Sequence, residues 1–130
     1  MKRWIPTMLA TAFAAVVMAG CQTWGPTWSE VSGARYTRVA LDRRPAILIR
    51  VGDESVGRAQ QPFKVAPGTY RIEVQSPRHA HFTGTIKSLN VKVDPCERYY
   101  INAQFENPAS PDWMPVIDYV ETIPGCHRPS

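Results

Sequence analysis

The apolar residues of this chain recur at every second position rather than every third or fourth, and that spacing limits the fold more than any other feature. It is cleanest in Thr69-Tyr70-Arg71-Ile72-Glu73-Val74-Gln75, where Tyr70, Ile72 and Val74 share one face and charged or polar groups take the other. Leu89, Val91 and Val93 repeat the pattern, as do Tyr99, Ile101, Ala103 and Phe105. From Arg35 onward no stretch longer than a turn or two carries apolar residues at helical spacing. Strands with one wet and one dry face must pair their dry faces, so residues 35–130 are expected to form an all-β domain, a single antiparallel β-sandwich.

Turn chemistry divides this region. Residues 36–41 suggest a first strand, ended by Asp42-Arg43-Arg44-Pro45. Residues 46–51 follow, with Ile47, Ile49 and Val51 expected on one face, and Gly52-Asp53 closes them. The polar stretch 57–61, holding Arg58 and Gln60, suits a loop or an edge strand, and residues 63–65, including Lys64, a short extended piece. Pro67-Gly68 turns the chain into the clean alternation of 69–75. Residues 82–87 suggest a further strand weakened by Gly84, and 88–93 a firmer one. Beyond Asp94-Pro95, residues 97–105 form another. Residues 107–115 contain three prolines and are expected to be a loop carrying Trp113 and Met114; 116–123 form the last strand, stopped by Pro124-Gly125.

The N-terminus has a different logic. Lys2 and Arg3 precede an apolar run over residues 8–18, which is the pattern of a secretory signal. As a helix, residues 5–19 would reach roughly 22 Å, short of the ~30 Å hydrocarbon core. The run closes in Met18-Ala19-Gly20-Cys21, which resembles the lipobox of bacterial lipoproteins. That resemblance implies a signal peptide over 1–20, a diacylglycerol on the Cys21 sulfur, and a mature chain beginning at that residue. Gln22 stands where an aspartate would signal inner-membrane retention. The resemblance therefore implies an outer-membrane anchor facing the periplasm, or the extracytoplasmic face of the plasma membrane in a Gram-positive host. Residues 21–34 are expected to be a lipidated tether, with Trp24 and Trp28 free to meet the headgroup layer or the domain.

Removing 20 of the 130 residues leaves 110, enough for one domain of ordinary size. Losing Lys2 and Arg3 lowers the net charge from +4 to +2. With no long Lys/Arg run, the chain does not suggest a nucleic-acid partner. Assigning Cys21 to lipid leaves Cys96 and Cys126 as a pair in an oxidising compartment. If residues 97–105 and 116–123 are antiparallel neighbours, the two cysteines lie together, and a bridge closing a loop of about 30 residues contributes roughly 3 to 4 kcal/mol.

Within the domain, Ile47-Leu48-Ile49-Arg50-Val51-Gly52-Asp53 and Val65-Ala66-Pro67-Gly68-Thr69-Tyr70-Arg71-Ile72-Glu73-Val74 resemble the PEGA-like and transthyretin-like modules of bacterial surface proteins. The likeness spans about half the chain and implies a small adhesive or scaffolding module without catalysis. No Gly-x-Ser-x-Gly elbow, Walker loop, His-Glu-x-x-His or Rossmann glycine pattern occurs. Asp53 and Glu54 suit a solvated turn. The expectation is an envelope lipoprotein that is not an enzyme, needs no cofactor or metal, touches the membrane through its lipid, and docks an envelope protein or glycan through Trp113 and Met114. The alternative is a small metal-binding or hydrolytic lipoprotein using His79 and His81.

Overall fold

The computed structural model describes residues 25–35, 40–57 and 61–129. Within these residues nine strands run in chain order: β1 (Ser29–Ser32), β2 (Arg43–Pro45), β3 (Ile47–Val51), β4 (Glu54–Ser55), β5 (Phe63–Val65), β6 (Gly68–Gln75), β7 (Ile86–Val93), β8 (Glu97–Phe105) and β9 (Trp113–Thr122). Among the described residues there is no helix. Two sheets pack face to face as a β-sandwich, one built on β8 and the other ordered β4-β3-β6-β7.

β8 organises the first sheet because both its edges are used. Along one edge it pairs with β9 from Glu97↔Thr122 to Phe105↔Trp113. Along the other it pairs first with β1, in parallel, at Glu30↔Arg98 and Ser32↔Tyr100, and then with β2, antiparallel, at Arg43↔Gln104. β5 adds to the far side of β1. The alternation expected for β8 holds: Tyr99, Ile101, Ala103 and Phe105 are all buried and meet Ile72, Val74, Val91 and Val93 of the opposite sheet in one core. Burying four such side chains from one strand supplies the apolar area that offsets the entropy of ordering it.

β3 departs from simple alternation. Its pairing with β6 slips between Leu48 and Arg50, so that Ile49 is an extra residue in a bulge. A bulge exchanges the faces of the residues on either side of it. Burial therefore falls on Leu48 and Val51, and the expectation that Ile47, Ile49 and Val51 share the inner face is corrected: Ile47 is exposed and Ile49 only partly covered.

Three further expectations are corrected. The tether expected over 21–34 contains β1, whose four residues are all buried; Val31 lies in the core and Ser29 Oγ donates to the Asp94 carbonyl at 2.7 Å. Arg43-Arg44-Pro45, expected as a stop, is a short strand, while residues 36–39 of the proposed first strand lie outside the described residues. Residues 82–87 make only an isolated bridge, His79↔Phe82, before β7 starts at Ile86. The reason is local. A Cβ on Gly84 would stand 1.9 Å from the Ser76 carbonyl oxygen, so the glycine serves a close backbone crossing where Ser76 and Thr85 bond to one another.

The N-terminal entry is fastened to the C-terminal exit. Cys96 and Cys126 are disulfide-bonded, with Cα atoms 5.5 Å apart. Around this bridge the Cys96 amide donates to the Trp28 carbonyl (3.1 Å), the Trp28 amide to Cys126 Sγ (3.3 Å), and the His127 amide to the Pro26 carbonyl (2.8 Å). Thr27 Oγ1 also donates to the His127 carbonyl. Cys96 holds φ at 62° after Pro95, the combination of a turn with proline first and a left-handed residue second.

Candidate interaction surface

Among the described residues β9 pairs on one side alone, with β8, and so forms an edge of its sheet. Its course explains which residues it shows. Between Tyr100 and Ile101 the register slips by one, leaving Asp118 as a bulged residue on β9. Before the bulge Trp113, Pro115 and Ile117 lie on the inner face opposite Phe105, Ala103 and Ile101; after it Val120, opposite Tyr99, takes that face. The sandwich does not fully cover the far part of this strand, where Ile117 is 44 % and Val120 40 % exposed. On the outer face Met114 is 60 % exposed.

The edge is blocked at one end only. Pro115 has no amide proton to offer a neighbouring strand, a placement tolerated only on an edge. The Trp113 carbonyl already accepts from Lys87 Nζ of β7 at 2.6 Å. Further along, the Ile123 amide donates to Cys96 (2.8 Å); alternation then turns Glu121 toward β8 and the main-chain groups of Val120 and Thr122 toward the outside. Ile117, Val120 and Thr122 thus form a stretch of edge with apolar side chains beside it.

The two residues expected to dock a partner separate. Trp113 belongs to β9 rather than to a loop and is 5 % exposed, its Nε1 donating to Thr85 Oγ1 at 2.7 Å. The expectation of an exposed Trp113 is therefore corrected: the indole closes the end of the core, where burial of its large apolar area outweighs exposure. Met114 is the exposed member of the pair. Beside it lies a shallow, mainly apolar depression of ≈ 310 Å³, lined by Gln104, Phe105, Glu106, Asp112, Trp113 and Met114.

His79 and His81 do not converge. His79 is buried, stacked on Phe105 with ring centroids 3.9 Å apart, and its Nε2 lies 3.1 Å from the Asn107 carbonyl; His81 is exposed. Among the described residues no group of three or more His, Cys, Asp or Glu side chains is placed to share a metal ion. Asp53 and Glu54 are exposed at the β3–β4 turn, as expected. Lys64 lies on β5 with its ammonium 5.0 Å from the Trp28 ring, and Trp28 docks on the domain through Nε1 to Glu30 Oε1 at 3.0 Å. Cys21, Trp24, Arg58 and Gln60 lie outside the described residues.

Sequence reasoning missed a charged network on the outer face of the β8 sheet. Arg98 bonds Glu30 at 2.5 Å and Glu121 at 3.0 Å, and the Tyr100 hydroxyl donates to Glu121 at 2.6 Å. Burial works against the charge on Arg98, but hydrogen bonds to Glu30 and Tyr100 outweigh it and hold its pKa above the ordinary arginine value. The bond from Tyr100, with help from Arg98, holds the Glu121 carboxyl below its ordinary range. Burial, then the bond to Glu121, pushes the Tyr100 phenol up. Arg43 similarly meets Asp118, whose side chain is fully covered, at 2.6 Å. Alternation marks Arg98 and Tyr100 as outward, but partners 68 and 21 residues away carry no signal in the sequence. These pairs satisfy one another and hold β1, β8 and β9 in register.

No family model, curated protein or solved structure matches the chain.

Proposed function

We propose that this chain is a lipoprotein of a bacterial cell envelope, anchored through Cys21, and that its sandwich is a non-catalytic module that binds an envelope protein or glycan along β9. The observation carrying the binding role is the edge of β9. Ile117 and Val120 occupy inward positions yet remain substantially exposed, and Met114 stands out on the other face. A domain that buries Tyr99, Ile101, Ala103 and Phe105 in full has no packing reason to leave such residues uncovered. Strand edges of this kind accept a partner strand through main-chain hydrogen bonds, with side chains supplying selectivity. The anchor rests on the lipobox resemblance and on the oxidised Cys96–Cys126 pair, which suits an extracytoplasmic address.

A photoreactive amino acid placed at Met114 or at Val120 and activated in intact cells tests the binding surface. Adducts at these positions are expected, absent when the probe is at Asn90 of the other sheet, and the adduct from Met114 is expected to be lost on Val120→Glu with the melting transition unchanged. Adducts of equal yield from Asn90, or none from β9, would remove this reading. Stoichiometric metal in the purified protein, with an activity lost in His79→Ala, would replace it by the histidine-based alternative.

A further inference from the structure

The clamp between Pro26 and His127 fixes how the domain stands on its membrane. We infer that the disulfide-bearing end of the sandwich, with the turns at Pro67-Gly68 and Pro124-Gly125, is a membrane-facing surface seated on phospholipid headgroups, and that the Met114 end faces away. This inference rests on the Cys21 anchor proposed above.

Chain length limits how far the domain can stand from its anchor. Among the described residues the first held by a hydrogen bond to the far end of the chain is Pro26, through its carbonyl, and Trp28 is then held by Cys96 and Cys126. Four residues, and so five Cα–Cα steps, separate Cys21 from Pro26. Even fully extended, those steps span at most roughly 18 Å. The tether that the sequence suggested over 21–34 would have reached more than twice as far. β8 starts at the disulfide and runs nine residues to Phe105, roughly 30 Å of strand. The anchor therefore cannot lift the disulfide end from the headgroup layer by more than about half the length of the domain.

Strand direction settles which features lie at each end. Gly68 pairs with Val93 beside the disulfide, while Gln75 pairs with Ile86 at the far end. Glu97 pairs with Thr122 near the disulfide, and Phe105 with Trp113 away from it. Pro67, Gly68, Pro124, Gly125 and His127 are exposed at the near end. Charges there are of both signs, Lys92 and Arg128 with Asp94 and Glu97. Seating is consequently imposed by the short connection and not by attraction to anionic lipid, so it should persist at high salt, where surface charge is screened over a few ångströms.

The test uses the mature chain from Cys21 with the Cys96–Cys126 bridge intact, coupled at the Cys21 thiol to a maleimide lipid. It is held in phosphatidylethanolamine/phosphatidylglycerol nanodiscs doped with a gadolinium-chelating headgroup. Paramagnetic loss of amide signal is expected at Gly68, Gly125 and His127, with signal retained at Ala80 and Ala109, in low and high salt alike. Inserting a Gly/Ser linker of about twenty residues after Gln22, with an r.m.s. span of roughly 25 Å, is expected to abolish the difference between the ends. Equal or greater loss at Ala80 and Ala109 in the unextended protein overturns the inference, as does a difference that survives the linker. Native acylation is read separately, from the mass of the protein extracted from envelopes. An unmodified Cys21 there defeats the anchor assignment, whereas a wrong pattern on the coupled protein defeats the orientation alone.

Discussion

Lys87 reaches across the open side of the sandwich and places its ammonium 2.6 Å from the main-chain carbonyl of Trp113, with the indole ring 5.4 Å away. It is an inward-pointing charge on one edge strand that occupies an acceptor on another. Such placements keep edges from pairing indiscriminately. Because Lys87 is largely exposed, screening limits the contact to about 1 kcal/mol. Lys87→Ala is expected to lower unfolding stability by that order while promoting self-association, visible as a concentration-dependent rise in light scattering. A monomeric Lys87→Ala protein at high concentration would show that the lysine does not guard the edge.

The disulfide fastens both the last strand and the N-terminal entry. Cys126→Ser is expected to lose about 3 kcal/mol from loop entropy, on the order of 15 °C in Tm for a domain of this size. It should also expose residues 25–28 to proteolysis before the rest of the domain, because the Trp28 amide then loses its sulfur partner. Loss of stability without early cleavage there would mean that β1 holds the N-terminal segment unaided.

Gly33 is required by contact and not by conformation. A Cβ at this position would stand 2.0 Å from the Ala46 carbonyl oxygen, in a crossing where the Ala46 amide and Asn102 Nδ2 both donate to the Gly33 carbonyl at 3.0 Å. Relief requires moving backbone, so Gly33→Ala is expected to cost about 3 kcal/mol. Gly25, with φ at 60° and open space around it, should lose only about 1 kcal/mol as alanine. Equal losses measured by denaturant titration would contradict this account.

The Glu121 carboxyl, held below its ordinary value of 4.5 by Tyr100 and Arg98, links stability to pH. A depressed folded-state pKa adds stability that is present above the unfolded value and is lost as pH falls through the folded value. Wild type is therefore expected to lose stability relative to Glu121→Gln as the solution is acidified below 4.5, the two curves running parallel at neutral pH. Parallel curves throughout would show that the network does not tune this carboxylate.

What the sequence disclosed was whatever depends on alternation alone. β8 buries all four residues that period-two spacing assigns to the interior, β6 and β7 bury Ile72, Val74, Val91 and Val93 and pack Tyr70 and Leu89 partly buried against them, and the Cys96–Cys126 pairing followed from β8 and β9 being neighbours. Bulges defeated it elsewhere, at Ile49 and at Asp118, because one inserted residue exchanges faces without altering composition. β1 was hidden for another reason. Ser29-Glu30-Val31-Ser32 has a single apolar residue, and its other three are buried by partners far along the chain, among them Asp94 and Arg98. Trp113 was misread because three prolines make its neighbourhood resemble a loop, although Pro115 sits on an edge where its missing amide costs nothing.

The parallel pairing of β1 with β8 has a temporal meaning. Glu30 finds Arg98 across 68 residues of chain, and the ladders of β1 are made with β5 and β8, neither of them adjacent to it in sequence. A chain emerging N-terminus first delivers β1 long before β8 exists to receive it. Closing so long a loop must precede any reward from the contact, which places the domain among slow, topology-limited folders. Whatever escorts the nascent chain must therefore keep the β8-facing edge of β1 open until nearly the whole domain has followed.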